Sequence, residues 1–196
     1  GVTSIGLRHN PKDTERMRRE GLIALPEDLG IRRNDATREL LADWDEQDLR
    51  TAYAILDRAD VFVENFKPGG MAKLGLGYEQ ARELNPRLVY ASISGFGQTG
   101  PYAKRGGVDQ IAQGMGGLMS ITGEPGGDPV KVGVPVCDLT CALYVALAVT
   151  AALRERERSG LGQHVDVSLL ESGVSLAVWE AGAHFGDGSV PGPSGS

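Results

Sequence analysis

The sequence predicts an α/β fold built on a parallel sheet, and three features lead there. Asp60-Val-Phe-Val-Glu64 and Arg87-Leu-Val-Tyr-Ala-Ser-Ile-Ser94 are short β-branched runs joined by a helical connection, all within about 35 residues. That length suits a βαβ unit, which implies parallel pairing. A third strand-like run, His164 to Leu169, follows a long apolar helical segment, so strands and helices keep alternating.

Taken in order, residues 1–34 are charged and interrupted by Pro11, Gly21, Pro26 and Gly30, with a short helix expected near Thr14 to Glu20. Asp35 suits the N-cap of a helix reaching Leu56, with Leu40, Leu41, Trp44, Leu49, Tyr53 and Leu56 as an imperfect stripe. Pro68 to Leu74 and Tyr78 to Leu84 read as helices separated by Gly75-Leu-Gly77. After the strand ending at Ser94, a Gly-rich loop runs from Gly95 to Gly107, and Asp109 is placed to cap a helix reaching about Ser120. Val130 to Val136 reads as extended, Asp138 to Arg158 as a helix ended by Ser159-Gly160, and Leu170 to about Phe185 as a last helix. The expected division is a divergent N-terminal segment over 1–56, the main domain over 57–185, and a Gly/Ser/Pro tail or linker over 186–196.

Composition narrows the function classes. The 196 residues carry a net charge of −6, which disfavours nucleic acid or an anionic membrane as partner. Cys137 and Cys141 are too few for a disulfide framework and lack companion zinc ligands, and three scattered histidines supply no metal cluster, so no metal is expected. They read as plain buried thiols. The opening residues are not expected to form a signal peptide. The apolar run Leu139 to Leu153 falls short of the ~20 residues a membrane span needs. A cytoplasmic protein without a membrane partner is expected.

Three motifs carry candidate chemistry. Gly95-Phe-Gly97-Gln-Thr-Gly100 matches a dinucleotide fingerprint, but Pro101 and Gly106-Gly107 prevent a helix from starting where a pyrophosphate would sit. Glu64-Asn65-Phe66-Lys67-Pro68-Gly69 leaves the first strand at the carboxyl end of the sheet, where open α/β folds bind ligands. Asn65 offers donor and acceptor, Phe66 a face for a purine, and Lys67 and Lys73 charge for phosphates; equally, the segment could only shape a turn. Asp138, in Lys131-Val-Gly-Val-Pro-Val-Cys-Asp138, is either a helix cap or a nucleophile. Spacing alone favours the cap, and a helix N-terminus would hold the carboxylate ionised in either role.

Longer runs add a resemblance. Ala59-Asp-Val-Phe-Val-Glu-Asn-Phe-Lys-Pro-Gly69, Leu74-Gly-Leu-Gly-Tyr-Glu79, Asn85 to Tyr102 and Gly160-Leu-Gly-Gln-His-Val-Asp-Val-Ser168 occur in unbroken order. From about Asp57 to Trp179 the chain resembles the family III CoA-transferases, the group that includes formyl-CoA transferase, CaiB and alpha-methylacyl-CoA racemase.

The resemblance implies a Rossmann-like domain, coenzyme A as acyl-CoA substrate, a small carboxylic acid as acceptor, and a homodimer of interlocked protomers. It places Asp138 at the nucleophilic aspartate. Asn65, Phe66, Lys67 and Lys73 fall in one CoA-contacting stretch, and Gly106, Gly107, Val108 and Asp109 in a second. The racemase branch carries a Gly-His-Asp triplet there. Here it reads Gly107-Val108-Asp109, and valine carries no proton, so transfer is expected over epimerisation. Residues 1–56 lack the family's opening strand with its Gly-Pro loop and its Asn-Arg-Asn-Lys stretch. The family's second half, with its active-site glycine loop, has no counterpart after Phe185. A CoA-binding fragment or subunit without catalysis is the remaining alternative.

Overall fold

The computed structural model describes residues 46–193 and 195, so the expected helix at 14–20, the Asp35 cap and nearly all of the segment 1–56 lie outside the described residues. In chain order the elements are α1 (Glu46–Leu56), β1 (Val61–Glu64), α2 (Gly70–Lys73), α3 (Tyr78–Leu84), β2 (Val89–Ser94), α4 (Asp109–Met115), α5 (Leu118–Ile121), α6 (Val136–Ser159), β3 (His164–Ser168), α7 (Leu169–Leu176) and α8 (Val178–Asp187). The three strands form one parallel sheet in the order β1-β2-β3, with Val61 opposite Val89 and Tyr90 opposite His164.

Helices cover both faces of the sheet, which is why β2 is buried along nearly its whole length. Alternation along β2 sends its side chains into two cores. Tyr90 joins Leu49, Tyr53, Leu56, Leu76 and Ala81 on one side. Val89 and Ala91 join Cys137, Cys141, Val145 and Val165 on the other. Both thiols are buried and free, as expected.

Two phenols hold the turn between α2 and α3. Tyr53 donates to the Gly75 carbonyl and Tyr90 to the Leu76 carbonyl, each at 2.9 Å in buried surroundings. Tyr90→Phe strands the Leu76 carbonyl, so urea unfolding is expected to report a loss of about 1–2 kcal/mol with an unchanged m-value.

Several expectations are corrected. Val130 to Val136 joins no strand, and α6 begins two residues before Asp138, with Pro135 as its N-cap. The helix expected from Asp109 to Ser120 breaks at Gly116-Gly117, where Gly117 takes φ +85°, and resumes as α5. The helix expected over 170–185 is two helices meeting at Ala177. Its start is a side-chain cap: the Ser168 hydroxyl accepts the Glu171 N–H and donates to the Glu171 carboxylate.

At 24 residues, α6 is also longer than the apolar run inside it, and by length and composition alone it could cross a membrane. It packs one stripe, Cys137, Cys141, Val145 and Ala152, into the core. Its other apolar face is uncovered, with Leu143 70% and Leu147 68% exposed.

Candidate active site

As the crossover between parallel β2 and β3, α6 runs against the strands. Its carboxyl end is tied to the start of the sheet by Arg156, which donates to Asp60 Oδ1 at 2.9 Å and to the Arg87 carbonyl at 3.1 Å. Its amino end therefore lies at the carboxyl edge of the sheet. The segment leaving β1 at Glu64, the glycine loop leaving β2 at Ser94, and Ser168 at the end of β3 reach the same edge. Topology thus gathers the candidate segments at one rim, where α/β sheets bind ligands.

Asp138 sits in the first turn of α6 and is exposed. It is not the cap. The capping carboxylate is Asp109, 29 residues upstream, whose Oδ1 accepts the N–H of Cys137 at 2.8 Å and of Asp138 at 3.3 Å. Asp109 opens α4 but caps α6. Among the described residues the Asp138 carboxylate itself has no hydrogen-bond or ion-pair partner.

The expected ionising effect of the helix terminus is outweighed. Partial desolvation, and then the neighbouring charge of Asp109, hold the Asp138 carboxyl above the ordinary aspartate range. Burial and the same two carboxylates push the Cys137 thiol up to about 11, leaving it un-ionised and unreactive at neutral pH.

Asn65, Phe66 and Lys67 form an exposed turn after β1, anchored by the Phe66 N–H donating to Glu64 Oε2 at 2.8 Å and by the Gly70 N–H donating to the Lys67 carbonyl. Phe66 presents its ring with 53% exposure, and Lys67 and Lys73 have no ion pair among the described residues. The turn offers an exposed aromatic face with Lys67 next to it in the chain, and Lys73 stands at the end of α2.

The second stretch divides differently. Gly106 faces open space, whereas a Cβ on Gly107 would lie 2.6 Å from the Gly95 Cα, so Gly95 and Gly107 let two chain segments touch. Val108 is exposed in extended backbone at the start of α4. In the loop between them, Gly97 and Gly100 take positive φ, and turns rather than a helix follow, in line with setting aside the dinucleotide reading.

Sequence reasoning missed one cluster. Ser92 and His164 meet at 2.9 Å, and the imidazole stacks on Tyr78 with centroids 4.7 Å apart. Together with Glu64, Lys67 and Gln98 they line a cleft of ≈ 90 Å³. That volume is far below the ~300–1,000 Å³ of a typical cofactor pocket. Burial holds His164 below the ordinary histidine range, hence neutral. Ser92 and His164 stand on adjacent strands, two residues apart in register, and each is a polar residue within a strand-like run, which was the available signal.

Residues 42–196 match the family model for CoA-transferase family III. Residues 1–58 match a different model, malonate decarboxylase, alpha subunit, transporter. The chain is 58% identical over 113 residues to a succinate–glutarate CoA-transferase of Agrobacterium fabrum, covering 58% of this chain and 28% of that protein. It is 44% identical over 163 residues to a succinyl-CoA:mesaconate CoA-transferase of Haloarcula hispanica, covering 81% and 41% respectively. A crystal structure of a CaiB/BaiF family protein from Brucella suis superposes with TM-score 0.75 at 42% identity, over 77% of this chain and 40% of that one. The chain therefore spans well under half the length of these relatives.

Proposed function

The chain belongs to CoA-transferase family III, and from that membership we propose that it carries the nucleophile-bearing part of an enzyme moving coenzyme A from an acyl-CoA to a small carboxylic acid. One observation supports this above the others: Asp138 is exposed at the ligand-binding rim with an unpartnered carboxylate, while its capping duty falls to Asp109.

In this reading an Asp138 oxygen attacks the thioester carbonyl, the C–S bond breaks, and a mixed anhydride and CoA thiolate result. The thiolate attacks the aspartyl carbonyl of that anhydride, releasing the donor acid and leaving an aspartyl-CoA thioester. The acceptor carboxylate then attacks that thioester, expelling thiolate and forming a second anhydride. Attack of the thiolate on the acceptor's acyl carbon yields the new acyl-CoA and frees Asp138. No net proton or electron is exchanged. In this reading Phe66 takes the nucleotide's ring, and Lys67 and Lys73 its phosphates. Val108 cannot relay a proton, which disfavours epimerisation.

The relatives' names suggest the first assay: succinyl-CoA as donor, with glutarate and mesaconate as acceptors. Transfer of CoA to either acid is expected. The alternative reading is a CoA-binding part without catalysis. Calorimetric binding of CoA with no transfer, unchanged by Asp138→Ala, would establish that alternative.

A homodimer is part of the same proposal. Leu139, Leu143 and Leu147 on α6, with Trp179 and Phe185 on α8, leave apolar faces that a second copy would cover. Sedimentation velocity is expected to show a dimer that Leu143→Asp converts to a folded monomer; a wild-type monomer contradicts it.

A further inference from the structure

We propose that Asp109 is a positioning residue for Asp138, fixing the first turn of α6 through a part-buried bracket rather than contacting coenzyme A. This rests on the nucleophile reading above. The geometry lies in both carboxylate oxygens. Oδ1 accepts the Cys137 and Asp138 N–H groups, and Oδ2 accepts Gln113 Nε2 at 2.6 Å. Gln113 is wholly buried, and its Oε1 accepts the Val132 N–H at 2.8 Å. The bracket therefore grips the chain on both sides of Pro135, before α6 and inside its first turn.

The need for it follows from the local sequence. Pro135 occupies the N-cap and has no side-chain acceptor, so while the Val136 N–H turns back to the Val134 carbonyl at 2.8 Å, those of Cys137 and Asp138 have no local partner. A cap supplied from α4 satisfies them and leaves the Asp138 side chain unengaged. Packing completes the hold: Gly173 of α7 lies so close that a Cβ there would sit 2.9 Å from Cys137 Sγ.

The test compares Asp109→Ala with Asp109→Asn, which keeps an oxygen for the two N–H groups. Amide exchange is followed at Cys137 and Asp138 and, as a control, at Val145 to Ala152. Asp109→Ala is expected to speed exchange at the first two by roughly tenfold and leave the control unchanged, with Asp109→Asn restoring most of the protection. For acyl-enzyme formation, the rate at saturating acyl-CoA is expected to drop roughly 10- to 100-fold in Asp109→Ala with little change in half-saturation. Unchanged exchange at Cys137 and Asp138, or a loss confined to half-saturation, overturns the proposal. Should the Ala variant fail to fold, exchange in the wild type decides: protection at Cys137 and Asp138 comparable to Val145 to Ala152 sustains the bracket, and unprotected exchange at those two amides overturns it. If the wild type forms no acyl-enzyme, the nucleophile reading fails, while the exchange comparison still decides whether the bracket exists.

Discussion

Asp138→Ala is expected to lower CoA transfer by at least ~10³-fold, about 4 kcal/mol of transition-state stabilisation, because the proposed covalent intermediate forms on that carboxylate. The same loss is expected for Asp138→Asn, which keeps the size and removes the attacking charge. Neither change should weaken the fold beyond about 0.5 kcal/mol, since the side chain is exposed and unpartnered. That split separates a nucleophile from a helix cap, whose removal costs ~1 kcal/mol and no chemistry. The pH profile carries the same signature. Only the ionised carboxylate attacks, so the acylation rate falls as pH drops through its pKa. Desolvation and Asp109 raise that pKa, so the fall is expected above the ordinary aspartate range. An acid limb at or below that range would count against this environment.

Gly162→Ala is expected to be the most damaging substitution for the fold. A Cβ there would lie 1.9 Å from the Leu88 carbonyl oxygen and 2.6 Å from the Arg87 carbonyl carbon, all rigid backbone. The turn cannot retreat, because the Gly162 N–H donates to the Pro86 carbonyl at 2.8 Å and the Tyr90 N–H to the Gln163 carbonyl at 3.0 Å. These bonds set the register of β3 on β2. A loss of about 3 kcal/mol or more follows, lowering Tm by roughly 6–12 °C in a chain of this size. Gly182→Ala, in α8 with open space around it, is expected instead to be neutral or to stabilise by up to ~1 kcal/mol. Equal effects at the two positions would contradict the close approach.

What could be read from the sequence followed what is local and periodic. The β-branched runs ending at Glu64 and Ser94, and the helices at Tyr78 and Leu169, carry their own patterns and turn signals, so the parallel sheet was legible. Asp109 was legible as a capping residue but not as the cap of a helix 29 residues away, because a side chain reaching a distant backbone leaves no periodic trace. The same blind spot made Asp138 look like a cap. Val130 to Val136 has strand composition yet no neighbouring strand among the described residues, and β-propensity reflects the packing surface available more than the backbone. The Ser92–His164 contact needed strand register, which composition does not supply. The resemblance stopped where the first 56 residues begin to differ, and those residues match another family model.

The central claim is that Asp138 forms a covalent acyl and CoA intermediate. The most direct measurement is peptide mass analysis after incubation with succinyl-CoA and trapping with hydroxylamine. The account predicts conversion of the Asp138 side chain to its hydroxamate, dependent on acyl-CoA and absent in Asp138→Asn. An enzyme that transfers CoA while its Asp138 peptide stays unmodified, or whose trapped adduct maps to another residue, would contradict it.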